Sequence, residues 1–313
     1  MTKTAFLFPG QGSQAAGMGK SFVEHSPDAA QMLEAASERL KTDMAYLLFE
    51  PNDLLEQTRY TQPAILLVSM MAYRLFQKEI PDAPAFALGH SLGEFSALSA
   101  VGAIDWLDAV ELVHLRGELM QRACEGIEAG MMVVLGVADE DVEAICHDAR
   151  QEGKKVWPAN YNADGQIVIA GIKSDLQSIE EPLKAAKARR VMLLNMSVAS
   201  HCPLLEPAVA PLVEALKEKL NDTFAAAVIS NVTAKAYNTK PEAIDLLGRQ
   251  LVFPVLYKQS IRGNDDLVER YIEFGHGGVL KGLNRRTTKK PTLTVSDYDS
   301  LGAVIEEVAQ ERK

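Results

Sequence analysis

The segment Gly89-His90-Ser91-Leu92-Gly93 is the feature that most limits how this chain can fold. It follows a short apolar run, residues 85–88, and precedes a helix-forming stretch, so Ser91 is expected at a sharp turn between a strand and a helix. The flanking glycines let neighbouring backbone approach the turn without side-chain clashes. Such a turn exposes the hydroxyl at a helix N-terminus, where backbone N–H groups stabilise developing negative charge. The pattern favours a nucleophilic serine in an α/β fold over a serine that merely caps a helix.

The first 125 residues alternate short apolar runs with amphipathic stretches. A strand is predicted at residues 4–8. Helices are predicted at 27–40 behind a Ser26 cap, at 61–76, and at 106–122 behind an Asp105 cap. Strands that alternate with helices indicate a parallel sheet covered on both faces.

Residues 130–196 follow a different pattern, β-α-β-β-α-β, which is the ferredoxin-like split unit. Within it a hairpin turn is predicted at residues 162–165, and Ser174 is expected to cap a helix that runs to about residue 188. The remaining chain returns to mixed α/β, with strands near 227–230, 270–274 and 292–295. We therefore predict a large α/β-hydrolase-like domain with a parallel sheet, residues 1–128 and 197–313. A small ferredoxin-like domain, residues 129–196, is inserted into it.

Composition excludes several classes of protein. The 313 residues carry 32 basic and 42 acidic side chains, a net charge of −10, which disfavours generic nucleic-acid binding. Three cysteines without a C-x-x-C pair indicate neither a disulfide framework nor a zinc ribbon, so no metal is expected. The longest nearly apolar run, residues 64–73, is about half of a membrane span. The apolar start at residues 4–8 is too short for a signal-peptide core. A cytoplasmic globular protein without membrane contact is predicted.

A serine nucleophile needs a base, and six histidines are available: His25, His90, His114, His147, His201 and His276. Helix positions suit solvated or core roles for three of them, and His90 adjoins the serine in a turn where neighbours point apart. His201 and His276 remain, both in or near loops of the large domain. Spacing alone does not decide between these two.

Two further features carry open alternatives. The glycine-rich loop at residues 8–14 lacks the Lys-Ser/Thr of a Walker loop, so a backbone N–H donor beside the nucleophile is favoured over a phosphate cradle. Arg116 lies in mid-helix among apolar neighbours. It is either a surface arginine or a buried guanidinium that awaits a carboxylate.

Ordered motifs along nearly the whole chain resemble those of the malonyl-CoA:acyl carrier protein transacylase family and, more widely, the acyltransferase domains of fatty-acid and polyketide synthases. The motifs are FPGQGSQ at 8–14, TQPA at 61–64, GHSLGEFSAL at 89–98, RG at 116–117, GQIVIAG at 165–171, SH at 200–201, QL-x-x-PV at 250–255 and E-x-G-x-G-x-x-L at 273–280.

The resemblance implies malonyl transfer from malonyl-CoA to the phosphopantetheine thiol of an acyl carrier protein, through a serine-linked intermediate and without a cofactor. Malonyl-CoA and the carrier protein are then the partners. Ser91 would be the acylated nucleophile and His201 its general base and acid. In this family the histidine is oriented by a main-chain carbonyl, here that of Gln250.

The resemblance also assigns the substrate contacts. The backbone N–H groups of Gln11 and Leu92 would form the oxyanion hole, and Arg116 would hold the malonyl carboxylate. Two positions depart from the family pattern: His276 replaces a usual proline, and residues 198–201 (VASH) resemble methylmalonyl-selective polyketide acyltransferases. Methylmalonyl-selective relatives often carry glutamine directly after the nucleophile, so Leu92 at that position favours malonyl over methylmalonyl as the substrate.

Three alternatives follow. They are a methylmalonyl-selective or trans-acting polyketide acyltransferase, a serine hydrolase or thioesterase that uses His276, and a non-catalytic carrier-docking subunit. The docking subunit should lack Ser91, His201 or Arg116, and all three are present. Two clusters of positive charge are candidate docking surfaces for an acidic carrier protein. The 184–190 cluster contains Lys184, Lys187, Arg189 and Arg190; the 281–290 cluster contains Lys281, Arg285, Arg286, Lys289 and Lys290.

Overall fold

The computed structural model describes residues 2–196 and 198–311. Within these ranges the chain forms ten strands: β1 (Thr4–Phe8), β2 (Ala87–Gly89), β3 (Ala129–Leu135), β4 (Val156–Ala163), β5 (Gln166–Ile172), β6 (Arg190–Leu193), β7 (Val228–Ile229), β8 (Ala236–Tyr237), β9 (Arg270–Phe274) and β10 (Thr292–Val295). The same ranges contain fourteen α-helices: α1 (Lys20–His25), α2 (Pro27–Leu40), α3 (Met44–Phe49), α4 (Thr58–Glu79), α5 (Gly93–Ala100), α6 (Trp106–Ala123), α7 (Asp139–Gln151), α8 (Lys173–Ser178), α9 (Glu180–Ala185), α10 (Glu206–Lys219), α11 (Lys240–Gln250), α12 (Tyr257–Asn264), α13 (Val279–Asn284) and α14 (Tyr298–Gln310).

The larger sheet has the strand order β10-β9-β1-β2-β7-β8. All neighbouring pairs are parallel except β7 and β8. In the register of β1 against β2, Phe8 lies opposite Gly89, so the two strands end side by side. Because the carboxyl ends of parallel strands share one edge, the loop after β1 lies beside the turn after β2. This edge carries the site described below.

The second sheet is antiparallel, with the order β4-β5-β3-β6. Two helical segments, α7 and α8–α9, connect its strands, which is the ferredoxin-like arrangement. The predicted fold class, an α/β-hydrolase-like domain with a parallel sheet and a ferredoxin-like insert, is confirmed. The limits of the insert, residues 129 and 196, stay a prediction; residue 197, the predicted start of the second large-domain segment, lies outside the described residues.

The helix predicted from a Ser174 cap to residue 188 is two helices instead. Residue 174 lies inside α8, whose N-cap is Ile172 without a side-chain bond. Pro182 has no N–H to donate to the carbonyl of Ser178, so the chain breaks there and a new helix begins at Glu180. A proline in the first turn of α9 leaves no helical hydrogen bond unmade.

Helix α4 begins at Thr58, three residues before the predicted start, and contains Pro63. A proline there frees the carbonyl of Arg59, four residues earlier. The Nδ1–H of His114 on α6 donates to this carbonyl at 2.9 Å, which compensates for the missing bond. Contact between two helices therefore lets α4 continue through its proline.

An aromatic cluster fixes α4 to the face of the larger sheet. The ring of Phe6 on β1 lies 5.1 Å from that of Phe274 on β9 and 6.0 Å from that of Phe76 on α4, both edge to face. All three side chains are buried. Such contacts hold the strand ends that carry the site in fixed positions. In the part of the chain that the structure describes, no helix is long and apolar enough to cross a membrane.

Candidate active site

The turn that carries Ser91 depends on close backbone contact. A Cβ atom at Gly89 would lie 1.8 Å from the carbonyl carbon of Gly93, and one at Gly93 would lie 2.1 Å from the carbonyl oxygen of Phe8. Both positions therefore require glycine. Ser91 itself has φ of 54°, in the left-handed region. The strand-turn-helix arrangement expected for the motif is present, and α5 begins directly after it.

Ser91 and His201 form a hydrogen-bonded pair. The Nε2 atom of His201 lies 2.8 Å from Ser91 Oγ, and its Nδ1 atom lies 2.7 Å from the main-chain oxygen of Gln250. Since a carbonyl only accepts, Nδ1 carries the proton and Nε2 is free to accept one from the serine. Burial, with smaller effects of Arg116 and His90, lowers the pKa of His201 to about 3. The imidazole is therefore neutral at physiological pH, which a general base requires.

His276, the other candidate base, lies elsewhere. It follows β9 by two residues and is half-buried. It does not line the cavity that contains Ser91. Of the two histidines left open by spacing, the structure brings His201 and not His276 to the serine.

Arg116 on α6 is buried, with 1% of its surface exposed, so the surface alternative is wrong. Its Nη1 donates to Gln62 Oε1 at 2.8 Å, and its Nη2 donates to Gln250 Oε1 at 3.0 Å and to Ser91 Oγ at 3.2 Å. Burial lowers the pKa of Arg116 to about 10, so the side chain remains charged at neutral pH. A cation with only uncharged acceptors thus lies beside the reactive hydroxyl. This arrangement suits an acyl group that ends in a carboxylate.

Asn231 holds the turn from below. Its Oδ1 accepts the backbone N–H of Ser91 at 2.7 Å, and its Nδ2 donates to the carbonyl of Gly89 at 2.6 Å. These bonds fix the peptide groups on both sides of His90 and so hold the left-handed conformation of Ser91.

A carboxylate, Glu94, lies beneath the pair and is 1% exposed. One oxygen accepts Gln250 Nε2–H at 2.7 Å and the N–H of Asn231 at 3.1 Å; the other accepts the Tyr237 hydroxyl at 3.0 Å. Burial raises the pKa of Glu94 to about 7, while these bonds and the charge of Arg116 act in the opposite direction.

The pair opens into a cavity of about 260 Å³ between the two sheets. Gln11 from the first loop and Leu92 from the serine turn both border it; the oxyanion hole of their backbone N–H groups stays a prediction. The small sheet contributes Asn160 and Asn162 to the opposite wall. His90 Nε2 lies 2.8 Å from Asn162 Oδ1, which joins the serine turn to that sheet. All six predicted site residues therefore meet at one cavity or at the base of it.

Sequence reasoning missed Gln62, Glu94, Asn231 and Tyr237. Two of them gave a signal. Gln62 lies in the TQPA motif, and Glu94 is the one charged residue in the otherwise uncharged stretch that forms α5, one turn after the nucleophile. The others are single polar residues whose partners lie far away along the chain. Among residues 2–196 and 198–311, no group of three or more His, Cys, Asp or Glu side chains is arranged to hold a metal ion.

The chain is similar over nearly its whole length to known acyltransferases. The acyl transferase domain family model matches residues 5–310. The malonyl CoA-acyl carrier protein transacylase of Escherichia coli K12 is 39% identical over 306 residues, 97% of this chain and 98% of that protein. The Bacillus subtilis transacylase of the same name is 38% identical over 314 residues, 99% of each chain.

The chain is also similar to solved structures of malonyl transacylases. The crystal structure of malonyl-CoA:acyl carrier protein transacylase from Helicobacter pylori superposes with a TM-score of 0.96 at 48% identity, covering 99% of both chains. A malonyl-transacylase in complex with its type II polyketide acyl-carrier protein superposes with a TM-score of 0.94 at 35% identity, covering 98% of this chain and all of that one.

Proposed function

Because this chain belongs to the acyl transferase family, we propose that it transfers a malonyl group from malonyl-CoA to the phosphopantetheine thiol of an acyl carrier protein. One observation carries the choice of substrate class: the buried guanidinium of Arg116 lies 3.2 Å from Ser91 Oγ and, within residues 2–196 and 198–311, forms no hydrogen bond to a carboxylate. A malonyl group supplies the missing anion at that distance from the nucleophile.

In the first half-reaction Ser91 Oγ attacks the thioester carbonyl of malonyl-CoA, and His201 Nε2 takes the hydroxyl proton. The backbone N–H groups of Gln11 and Leu92 stabilise the oxyanion of the tetrahedral intermediate. The carbon–sulfur bond then breaks, and His201 returns the proton to the coenzyme A thiolate. The serine ester remains, with its carboxylate held by Arg116.

In the second half-reaction the carrier's phosphopantetheine thiol takes the place of coenzyme A. His201 accepts the thiol proton, sulfur attacks the ester carbonyl, and the proton passes to Ser91 Oγ as the ester bond breaks. The charge and the atoms balance between two thioesters, so we propose a reaction without a cofactor.

The carrier protein is proposed to approach at the 281–290 cluster. Arg286 Nη1 donates to Gln166 Oε1 at 2.9 Å, and Gln166 lines the cavity, so this cluster borders the site. Each cluster contains a lysine in an ion pair, Lys184 with Glu181 at 2.7 Å and Lys290 with Asp265 at 3.8 Å, so the position beside the cavity is what favours the 281–290 cluster. The solved complex of a related transacylase with its carrier protein supports the choice of partner. A cytoplasmic location stays a prediction from composition.

The experiment is covalent loading. Malonyl-CoA alone should add one malonyl group to the protein, seen by intact mass after rapid quenching, and holo carrier protein should remove it. Ser91→Ala should abolish the adduct. An adduct that persists in Ser91→Ala, for example on Cys202, would overturn the assignment. Continuous release of coenzyme A thiol without carrier would identify a hydrolase instead.

The base is tested in the same assay. His201→Ala should slow loading by about 10²–10⁴-fold, because it removes a positioned general base. His276→Ala is the matched control and should change the rate little. If His276→Ala is the impaired variant, the enzyme uses another histidine geometry and the assignment of His201 is wrong.

A further inference from the structure

The positive charge of Arg116 is not balanced by the groups that it contacts directly. It is buried, and among the residues that the structure describes all of its hydrogen-bond acceptors are uncharged and its Nε–H has no partner. A buried cation without a counter-charge is costly. The acidic group whose charge acts on Arg116 is Glu94, which is equally buried.

Gln250 connects the two charges. Its side-chain oxygen accepts from Arg116 Nη2, and its side-chain nitrogen donates to Glu94 at 2.7 Å. An amide placed between a donor and an acceptor has one favourable orientation. The main-chain oxygen of the same residue accepts the Nδ1–H of His201. The ionised form of Glu94 thus sets the orientation of the residue that holds both the base and the cation.

We infer that ionised Glu94 is a positioning residue, which acts through Gln250 to orient His201 and serves as counter-ion to Arg116 while the pocket holds no substrate. Protonated Glu94 no longer carries the charge that balances Arg116, and its remaining carbonyl oxygen is a weaker acceptor for Gln250 Nε2–H than a carboxylate is, so the arrangement weakens. The titratable groups that face Glu94 are Arg116 on α6 and Tyr237 on β8; Gln250 on α11 and Asn231 after β7 are uncharged.

The consequence is a pH step that His201 does not produce. His201 is neutral far below pH 7, whereas Glu94 ionises near pH 7. The reactivity of Ser91 should therefore be high above about pH 7 and should fall as Glu94 takes up a proton below it.

The test uses phenylmethanesulfonyl fluoride, which needs the serine pair but no malonyl group. Ser91 Oγ forms a bond to sulfur, fluoride leaves, and His201 takes the proton. Labelling of Ser91, followed by mass from pH 5 to 9, should show the step in the parent. Glu94→Gln should remove the step and slow labelling about 10- to 100-fold at pH 8, the loss typical when a partner that orients an active group is removed.

Two further variants complete the test. Tyr237→Phe removes a hydroxyl that stabilises the carboxylate, so its step should move to higher pH by about one pH unit. Glu273→Gln is the matched control, because burial also raises the pKa of Glu273 to about 7, yet Glu273 accepts from the backbone N–H groups of Leu280 and Lys281 and is not among the residues that line the cavity of Ser91. Its profile should equal that of the parent.

A step that survives in Glu94→Gln, or that disappears in Glu273→Gln, would overturn the inference. If Glu94→Gln does not fold, an unmoved step in Tyr237→Phe overturns it equally. The role of Arg116 as a substrate contact rests on the proposed function. The labelling assay is independent of that function, because it uses no malonyl group. A parent that is labelled with the pH step and transfers no malonyl would refute the proposed function and leave Glu94 as assigned.

Discussion

Replacing Arg116 tests whether this protein selects acyl groups that carry a carboxylate. The side chain is 1% exposed, and its three hydrogen bonds go to uncharged oxygens of Gln62, Gln250 and Ser91. A malonyl carboxylate in the cavity would be the first anion within hydrogen-bond reach of the guanidinium. Acetyl-CoA offers no such group. Arg116→Ala should therefore change the two substrates very differently.

The size of the difference follows from the burial. Each hydrogen bond to a charged group contributes about 1.5–3 kcal/mol, and a guanidinium offers a carboxylate two. Breaking a buried ion pair costs about 3–5 kcal/mol, which agrees with the sum of two such hydrogen bonds. At about 1.4 kcal/mol per tenfold, the ratio of kcat/KM for malonyl-CoA to kcat/KM for acetyl-CoA should fall by about 10²- to 10³-fold or more. Arg116→Lys keeps the positive charge but loses the planar guanidinium, so its ratio of kcat/KM values should lie between those of the parent and Arg116→Ala.

The assay is kcat/KM for both substrates in the parent and the two variants. Loss of the contact between Arg116 and Ser91 Oγ affects both substrates alike and cancels in the ratio. Arg122→Ala is the matched control, because Arg122 is exposed in the last turn of the same helix. Equal losses on malonyl-CoA and acetyl-CoA would mean that Arg116 only supports the fold.

Charge reversal in the 281–290 cluster should raise KM for the carrier protein and weaken its salt dependence while loading by malonyl-CoA stays intact, because electrostatic steering acts on the encounter. The same change in the 184–190 cluster should have a smaller effect, and unchanged carrier kinetics in both would place docking elsewhere. Gly93→Ala should lower the free energy of unfolding by about 1–3 kcal/mol or more, because its Cβ would meet the carbonyl oxygen of Phe8. Gly282→Ala is the control in denaturant unfolding, because among the described residues its added Cβ meets no atom within 4 Å beyond its chain neighbours and its own helix backbone; equal losses would contradict the steric argument.

Local signals predicted much of the fold. The cap at Asp105 and the apolar period after it gave the start of α6, and the run at 270–274 matches β9 at both ends. Prediction failed where distant contacts decide. The proline in α4 is tolerated because His114, 51 residues further on, takes the carbonyl that it frees. The two-residue strand β8 exists only through its pairing with β7.

The candidate site divides in the same way. The motif around Ser91 is local, and its turn geometry follows from the two glycines. The partner histidine comes from 110 residues away, so spacing left His201 and His276 open, and only the resemblance favoured His201. Asn231 and Tyr237 could not be predicted, because a single buried amide or hydroxyl has no sequence pattern. Their roles depend on which strand ends meet at one sheet edge.

The two reactive side chains sit on backbone that most residues avoid. Ser91 has φ of 54° and His201 has φ of 61°, and the left-handed region costs a residue other than glycine about 1–3 kcal/mol. At both positions the native backbone is held by its surroundings against its own preference. The two residues proposed to carry the reaction thus also lower the stability of the folded chain. Glycine at these two positions would relieve the backbone strain, but it would remove both reactive side chains. The strain is therefore a cost in stability that the reactivity of the site requires.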